Sequence, residues 1–112
     1  MVSAYIPERG DIVMLCFDPQ AEREQAGTRP GLVLSPALYN GKSGLMLVCP
    51  ITSWKKGYPF EVDLPHTLSM HGVILADHVK SIDWQVRGAR FIERVPKVTL
   101  KTVMEKVTLL LQ

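Results

Sequence analysis

An arginine at the junction of a polar loop and an apolar run is the side chain in this sequence whose position most suggests chemistry. Arg29 precedes Pro30, and a proline disfavours helical backbone at the residue before it, so the arginine is expected to be extended. Its guanidinium keeps its charge and carries five donors in a planar fork, which suits a phosphate group. Arg29 could therefore stabilise charge that develops on a phosphate. It could equally be a surface arginine paired with Glu22 or Glu24.

Other polar candidates lie on the same loop and at the ends of apolar runs. Glu24 could share proton transfer with Arg29 if the loop folds back, or it could be a solvated loop acid. Thr52 and Asp77 each follow an apolar run, so both side chains are expected at a common rim of the fold. Threonine and aspartate are also ordinary turn residues at such positions.

The segment TSWKKGYPF, residues 52–60, alternates rings with positive charge. Trp54 and Tyr58 flank Lys55 and Lys56, an arrangement that could stack and hold single-stranded RNA. Phe60 begins a strand pattern, which favours a place in the core.

Five short apolar segments predict the strands that position these groups. They cover residues 11–17, 31–35, 45–51, 60–64 and 73–76. In 11–17 both alternating sets are apolar, which predicts a strand buried on both faces. Pro50 indicates an edge or a bulge near the end of the third strand. Turn residues between the segments favour an antiparallel, barrel-like sheet.

A terminal helix is predicted from Pro96 onward, because apolar residues there recur at three- and four-residue spacing. This face is expected to cover the open side of the sheet; it consists of Leu100, Val103, Met104, Val107, Leu110 and Leu111. The pattern predicts an α+β fold, mostly β with a C-terminal helix, in one domain spanning residues 1–112.

Composition narrows the possible function. The 112 residues are 46% hydrophobic, without the roughly 18 consecutive apolar residues of a membrane helix or the pattern of a signal peptide, so a cytoplasmic protein is expected. Two cysteines and three histidines lack metal-ligand spacing, which disfavours a metal enzyme. From His78 onward there are seven basic and three acidic residues, against six and eight before it. This uneven distribution of charge could serve to bind a polyanion or an acidic protein on one face, or it could simply reflect a solvated basic helix.

Short motifs along nearly the whole chain resemble the MazF/PemK toxins of bacterial toxin–antitoxin systems. They are Gly10-Asp11, Asp18-Pro19, Glu24-Gln25-Ala26-Gly27, Arg29-Pro30, Leu34-Ser35, Asn40, Pro50-Ile51-Thr52, Lys56-Gly57-Tyr58-Pro59-Phe60 and Gly72 to Lys80. The resemblance implies a small SH3-like antiparallel barrel of the CcdB/PemK type that acts as a homodimeric endoribonuclease on single-stranded RNA, without a metal or cofactor. It also implies an acidic antitoxin whose disordered C-terminal segment occupies the RNA groove.

The resemblance also assigns roles to individual residues. Arg29 and Thr52 match the family's catalytic arginine and threonine, and Glu24 matches a loop acid that is the better candidate for the base. Substrate contacts are implied at Gln25, Gly27, Lys56, Tyr58, Phe60, Asp77, His78 and Lys80. One branch uses an aspartate at the position of Asp77 as base, with an arginine two residues earlier; Leu75 stands there, so that role is not expected.

Two departures and two rival functions accompany the resemblance. His78 stands where the family usually has glutamine, and Gly31 where it has alanine or valine, which bears on substrate contacts. The rivals are a non-catalytic RNA-binding barrel and a DNA gyrase poison of the same fold. The poison acts through a terminal Trp-Gly-Ile, whereas this sequence ends TLLLQ.

Overall fold

A computed structural model of the chain describes residues 5–17 and 27–112, which form seven strands and two helices. In chain order these are β1 (Asp11–Cys16), β2 (Thr28–Val33), α1 (Ala37–Ser43), β3 (Leu45–Thr52), β4 (Glu61–Asp63), β5 (Val73–Leu75), β6 (Lys80–Asp83), β7 (Arg90–Arg94) and α2 (Lys97–Leu109). A short 3-10 helix, Ala76–His78, follows β5. All five predicted strands are present. The patterns did not predict α1, β6 or β7.

The strands form one antiparallel sheet in the order β4-β5-β3-β2-β1-β7, with β6 paired to the first half of β3. Within the described residues the end strands β4 and β7 do not pair with each other. The predicted α+β class with an antiparallel sheet is therefore confirmed, but the barrel is not closed.

The core lies on both faces of the sheet because buried strands contribute alternate residues to two clusters. In β1, Ile12 enters the first cluster, while Val13 and Leu15 enter the second. The same alternation places Cys49 of β3 in the first cluster and Val48 in the second. The prediction that β1 is buried on both faces is confirmed.

Helix α2 covers the first cluster, as predicted, but only over part of its apolar stripe. Val103 is fully buried, and Leu100, Met104 and Val107 pack against the cluster. The remaining two predicted positions, Leu110 and Leu111, follow the end of the helix at Leu109 and are exposed. In the described part of the chain, neither helix has the length and apolar character needed to cross a membrane.

Strand β3 is central in the sheet, so the prediction of an edge or a bulge near Pro50 is wrong about the edge. On one side Pro50 pairs with Gly31 of β2. On the other side β3 pairs with β6 through Val48 and with β5 from Ile51 onward. Pro50 thus lies between the part of β3 that pairs with β6 and the part that pairs with β5. A residue without an N–H group is tolerated there because no hydrogen bond of the ladder is needed on that side.

Helix α1 is fixed by the side chain of Asn40, which is completely buried. Its Nδ2 group donates to the carbonyl oxygens of Pro7 (2.8 Å) and Ser35 (2.9 Å), and its Oδ1 accepts from the Ser35 hydroxyl at 2.6 Å. The Trp84 indole donates to the Asn40 carbonyl at 2.9 Å. The helix therefore depends on contacts distant in the sequence.

Candidate active site

Strands β2 and β3 bring Arg29 and Thr52 to one cavity of about 300 Å³. The pairing of Gly31 with Pro50 aligns the start of β2 with the end of β3, so two residues far apart in sequence line the same cavity. Its other lining residues in the described chain are Phe17, Pro50, Ile51, Leu75, His78 and Lys80. Two side chains selected from the sequence for chemistry thus face a common space.

The described wall of this cavity carries basic side chains and no acidic one. Arg29 is exposed, and no carboxylate among residues 5–17 and 27–112 lies within ion-pair distance of it. Lys80 adds a second cation at the start of β6. The alternative pairing of Arg29 with Glu22 or Glu24 involves residues outside those described. An anion is the ligand that this wall would attract.

Thr52 is the last residue of β3 and keeps a donor for a ligand. Its Oγ1 accepts a hydrogen bond from the Trp54 backbone N–H at 3.2 Å, so the hydroxyl proton can be donated elsewhere. Its backbone lies against β5, where it pairs with Val73. Gly72 makes this close approach feasible: a Cβ there would lie 2.2 Å from the Thr52 carbonyl oxygen, and its φ is +124°.

A second cavity of about 540 Å³ adjoins the first, because both are lined by Thr52, Leu75 and His78. The remaining lining residues are Trp54, Lys56, Tyr58, Glu61 and Asp77. The indole of Trp54 is 73% exposed, which leaves its faces accessible to a planar ligand. The sequence-predicted rim residues Thr52 and Asp77 thus lie in one groove.

The loop between β3 and β4 is held by a carboxylate of β4. Glu61 accepts hydrogen bonds from the backbone N–H groups of Lys56 (2.9 Å) and Gly57 (2.8 Å). From α2, the Lys106 ammonium donates to the Pro59 carbonyl at 2.7 Å. These contacts fix the segment that carries Tyr58 beside the groove.

Asp77 and Tyr58 form a polar pair at the edge of the groove. The Tyr58 hydroxyl donates to Asp77 Oδ1 at 2.9 Å, and His78 Nε2 lies 3.8 Å from the same oxygen. Desolvation, followed by the hydrogen bond to Asp77, raises the pKa of Tyr58. The phenol therefore stays a hydrogen-bond donor across the neutral pH range.

The other sequence-predicted site residues are placed differently. Phe60 packs against the first core cluster rather than the groove, as its strand pattern favoured. Gly27 is buried immediately before β2. Glu24 and Gln25 lie outside the described residues.

Gly31, where the family usually has a larger residue, packs closely against its neighbours. A Cβ at this position would lie 2.8 Å from Val48 Cγ2 and 3.0 Å from Phe17 Cζ. The glycine therefore lets the Phe17 ring lie tightly against β2 and β3.

Phe17 and Leu75 line the cavities, although sequence reasoning did not select them. Apolar strand-end residues carry no chemical signal, so only the neighbouring polar residues could have indicated them. The Arg87 guanidinium donates to the carbonyls of Cys16 (3.1 Å) and Phe17 (2.5 Å), which fixes the chain where β1 ends.

A wider cleft of about 670 Å³ lies elsewhere, near the start of α2. It contains the exposed ion pair of Lys55 with Asp63, and neither Arg29 nor Thr52 lines it. Within the described residues no group of three His, Cys, Asp or Glu side chains is arranged to hold a metal ion.

Comparison with known proteins shows the family to which the sequence is similar. Residues 8–111 match the model of the family described as PemK-like, MazF-like toxin of type II toxin–antitoxin system. The chain is 47% identical over 111 residues to the endoribonuclease toxin MazF of Escherichia coli (strain K12), covering 99% of both chains.

Solved structures give the same result. A MazF crystal structure from Deinococcus radiodurans superposes with a TM-score of 0.89 at 53% identity, covering 96% of this chain and 98% of that one. A MazE–MazF structure from the same organism gives 0.87 at 48% identity, covering 96% and 97%. The chain therefore belongs to the PemK-like, MazF-like toxin family of type II toxin–antitoxin systems.

Proposed function

We propose that this protein is an endoribonuclease toxin that cleaves single-stranded RNA at short sequences without a metal ion. The observation that carries the proposal is that Arg29 and Thr52 line one cavity whose described wall is basic. The name of the Escherichia coli relative, an endoribonuclease toxin, supports the same activity. A phosphodiester is the anion that fits both the cavity and the family.

In this mechanism the substrate supplies its own nucleophile. The ribose 2′-oxygen attacks the adjacent phosphorus while the bond from phosphorus to the 5′-oxygen breaks, which leaves a 2′,3′-cyclic phosphate and a 5′-hydroxyl. Arg29 stabilises the charge on the phosphorane, and the Thr52 hydroxyl donates to a non-bridging oxygen. Glu24 is the base that removes the 2′-hydroxyl proton; this role comes from the family resemblance alone.

The adjoining 540 Å³ cavity is the place for a base next to the reacting phosphate. Trp54 and Tyr58 offer ring faces for stacking, which is how proteins commonly hold unpaired bases. Lys56 and Lys80 supply positive charge for neighbouring phosphates, one in each cavity.

We further propose that an acidic antitoxin neutralises the protein by placing a disordered C-terminal segment in the same groove. The MazE–MazF crystal structure from Deinococcus radiodurans supports the existence of such a partner. Homodimerisation, action in the cytoplasm and a single domain spanning residues 1–112 are parts of the same proposal.

The test is to incubate purified protein with RNA of mixed sequence in EDTA and to map the product ends. Discrete cuts that leave 5′-hydroxyl ends support the proposal. Thr52→Ser keeps the hydroxyl and should cleave, whereas Thr52→Val removes it and should lose about 10²-fold or more in rate if the hydroxyl is a preorganised donor.

The alternatives give different outcomes in the same experiment. Intact RNA with a shifted gel band would indicate an RNA-binding module without catalysis. Intact RNA without a shift, together with inhibition of DNA gyrase, would indicate the gyrase poison.

A further inference from the structure

His78 lies at the point where the two cavities meet. It ends the 3-10 helix after β5, and it lines both the 300 Å³ cavity with Arg29 and the 540 Å³ cavity with Trp54. Its side chain is half exposed, so a ligand in the groove can reach it. The described residues that line both cavities are Thr52, Leu75 and His78, and of these only His78 carries an imidazole, the side chain that serves most often as a general acid or base.

Strand scission requires a proton for the departing 5′-oxygen, and the groups already assigned do not supply one readily. Arg29 keeps its proton at any physiological pH, and the Thr52 hydroxyl is a weak acid. Imidazole, whose ordinary pKa is about 6.5, is the side chain best matched to proton donation near neutrality. Lys80 is the other potential donor on this wall, but an ammonium is ordinarily a much weaker acid than an imidazolium.

The order of strands places the candidate donor across the site from the arginine. Thr52 ends β3, Arg29 comes from β2 on one side of β3, and His78 follows β5 on the other side. An in-line displacement needs the entering and leaving oxygens on opposite sides of phosphorus. A phosphate held above the end of β3 can therefore present its leaving oxygen toward the β5 side, where the imidazole lies.

Asp77 gives the imidazole a partner of opposite charge. Its Oδ1 is 3.8 Å from His78 Nε2 and accepts from the Tyr58 hydroxyl at 2.9 Å. Because the Tyr58 pKa is raised, the phenol remains protonated and keeps the aspartate in place. Asp77 Oδ1 thus lies within ion-pair distance of His78 Nε2 beside the groove, where a carboxylate favours the protonated imidazole.

We propose that His78 is a further catalytic residue, the general acid that protonates the 5′-oxygen leaving group. The imidazolium gives its proton to the 5′-oxygen as the P–O5′ bond breaks and the 2′-O–P bond forms, and the neutral imidazole then takes a proton from water. This assignment rests on the proposed ribonuclease function and adds to it the source of the second proton.

Other charged or titratable groups surround His78 from each neighbouring element. They are Arg29 of β2, Lys56 and Tyr58 of the β3–β4 loop, Glu61 of β4, Asp77 of the 3-10 helix and Lys80 of β6. Side chains of these types ordinarily titrate outside pH 5–8. A rate that falls as pH rises through this range therefore reports the imidazolium.

The test compares two versions of one RNA that the parental protein cuts, with either oxygen or sulfur at the 5′-bridging position. A thiolate leaves without protonation, so general acid catalysis matters only for the oxygen substrate. His78→Ala and His78→Gln should lower the single-turnover rate on the oxygen substrate by about 10²-fold, the lower end of the range for such catalysis. On the sulfur substrate both variants should stay within about threefold of the parental rate, a difference below 1 kcal/mol.

The matched control is Lys80→Gln, which removes a neighbouring charge and should slow both substrates equally. The alkaline decline in rate on the oxygen substrate should vanish in both His78 variants and persist in Lys80→Gln. An equal loss on both substrates in His78→Gln, or no loss on oxygen, would overturn the assignment. Failure of the parental protein to cut RNA of mixed sequence would instead overturn the ribonuclease function itself, and this role with it.

Discussion

Replacing Gly72 by alanine tests whether the backbone contact between β5 and β3 positions the Thr52 hydroxyl. The added Cβ would lie 2.2 Å from the Thr52 carbonyl oxygen and 2.9 Å from its carbonyl carbon, and Cβ atoms essentially never approach closer than 3.0 Å. The contact must therefore open from 2.2 Å to at least 3.0 Å, a shift of about 0.8 Å. Because backbone atoms make the contact, no side chain can rotate to relieve it.

The shift predicts losses in both stability and rate. A residue with a Cβ at φ +124° is strained by about 1–3 kcal/mol. With the clash added, we expect unfolding to become easier by about 3 kcal/mol, which lowers Tm by about 10 °C in a chain of this size. Displacing a catalytic group by about 1 Å can cost about 10²-fold in rate, so cleavage should fall by that factor. RNA binding, which depends on charge and stacking, should change little.

The assay is single-turnover cleavage of a fluorescent RNA, with Tm and RNA affinity measured on the same samples. Gly44→Ala is the control, since Gly44 also has a positive φ of +77° but a Cβ there meets no atom within 4 Å. It should show the backbone strain alone and cleave at the parental rate. A Gly72→Ala protein that cleaves at the parental rate and has the same Tm as the Gly44→Ala control would refute this account.

Four further predictions concern the groove and the fold. Arg29→Ala should slow cleavage about 10²- to 10³-fold. Arg29→Lys should recover only part of the lost rate, because an ammonium lacks the planar fork of the guanidinium. Calorimetry should find an unchanged Tm for both variants. Trp54→Ala should weaken RNA binding by about 1–3 kcal/mol in fluorescence titrations without changing Tm. Affinity for RNA and for an acidic antitoxin peptide should fall as salt rises from low to high concentration; an unchanged affinity would contradict the basic groove. Desolvation raises the pKa of Glu93, but hydrogen bonds from Ser69 and Met70 outweigh it, so the pKa is lowered in the folded protein. The ionised carboxylate therefore stabilises the fold at pH values above its ordinary pKa. This stabilisation is lost as the pH falls through the pKa of the folded state. Denaturant titrations at pH 7 and pH 3 should therefore find Glu93→Gln less stable than the parental protein only at the higher pH.

The parts of the fold predicted from the sequence are those with a strong apolar pattern. Strands β1 and β3 bury alternate side chains in two clusters, so their sequences are almost entirely apolar. The unpredicted strands β6 and β7 are mostly exposed, and only Ile82 of β6 is buried in them. Helix α1 has seven residues, includes an Asn-Gly pair and buries only Asn40, so long-range hydrogen bonds rather than local preference stabilise it.

The candidate site was predictable as a set of residue types but not as a geometry. Strand ends and family motifs indicated Arg29, Thr52 and Asp77, and the first two line one cavity. Their proximity depends on the register of Gly31 with Pro50, which no local pattern encodes. The role of Gly72 was equally hidden, because its constraint is a contact with a residue 20 positions away.

Because β3 lies at the centre of the sheet and carries Thr52, chemical labelling of a cysteine in this strand can report when the candidate site unfolds. Cys49 lies in the middle of this strand, and burial, helped by the charge of Asp77, raises the pKa of its thiol to about 12. Alkylating reagents attack the thiolate, so they can modify Cys49 only in molecules whose sheet has opened. Thr52 is three residues further along the same strand. Where alkylation is faster than reclosing of the sheet, the rate of Cys49 labelling should therefore equal the rate at which β3, and with it Thr52, leaves its folded position.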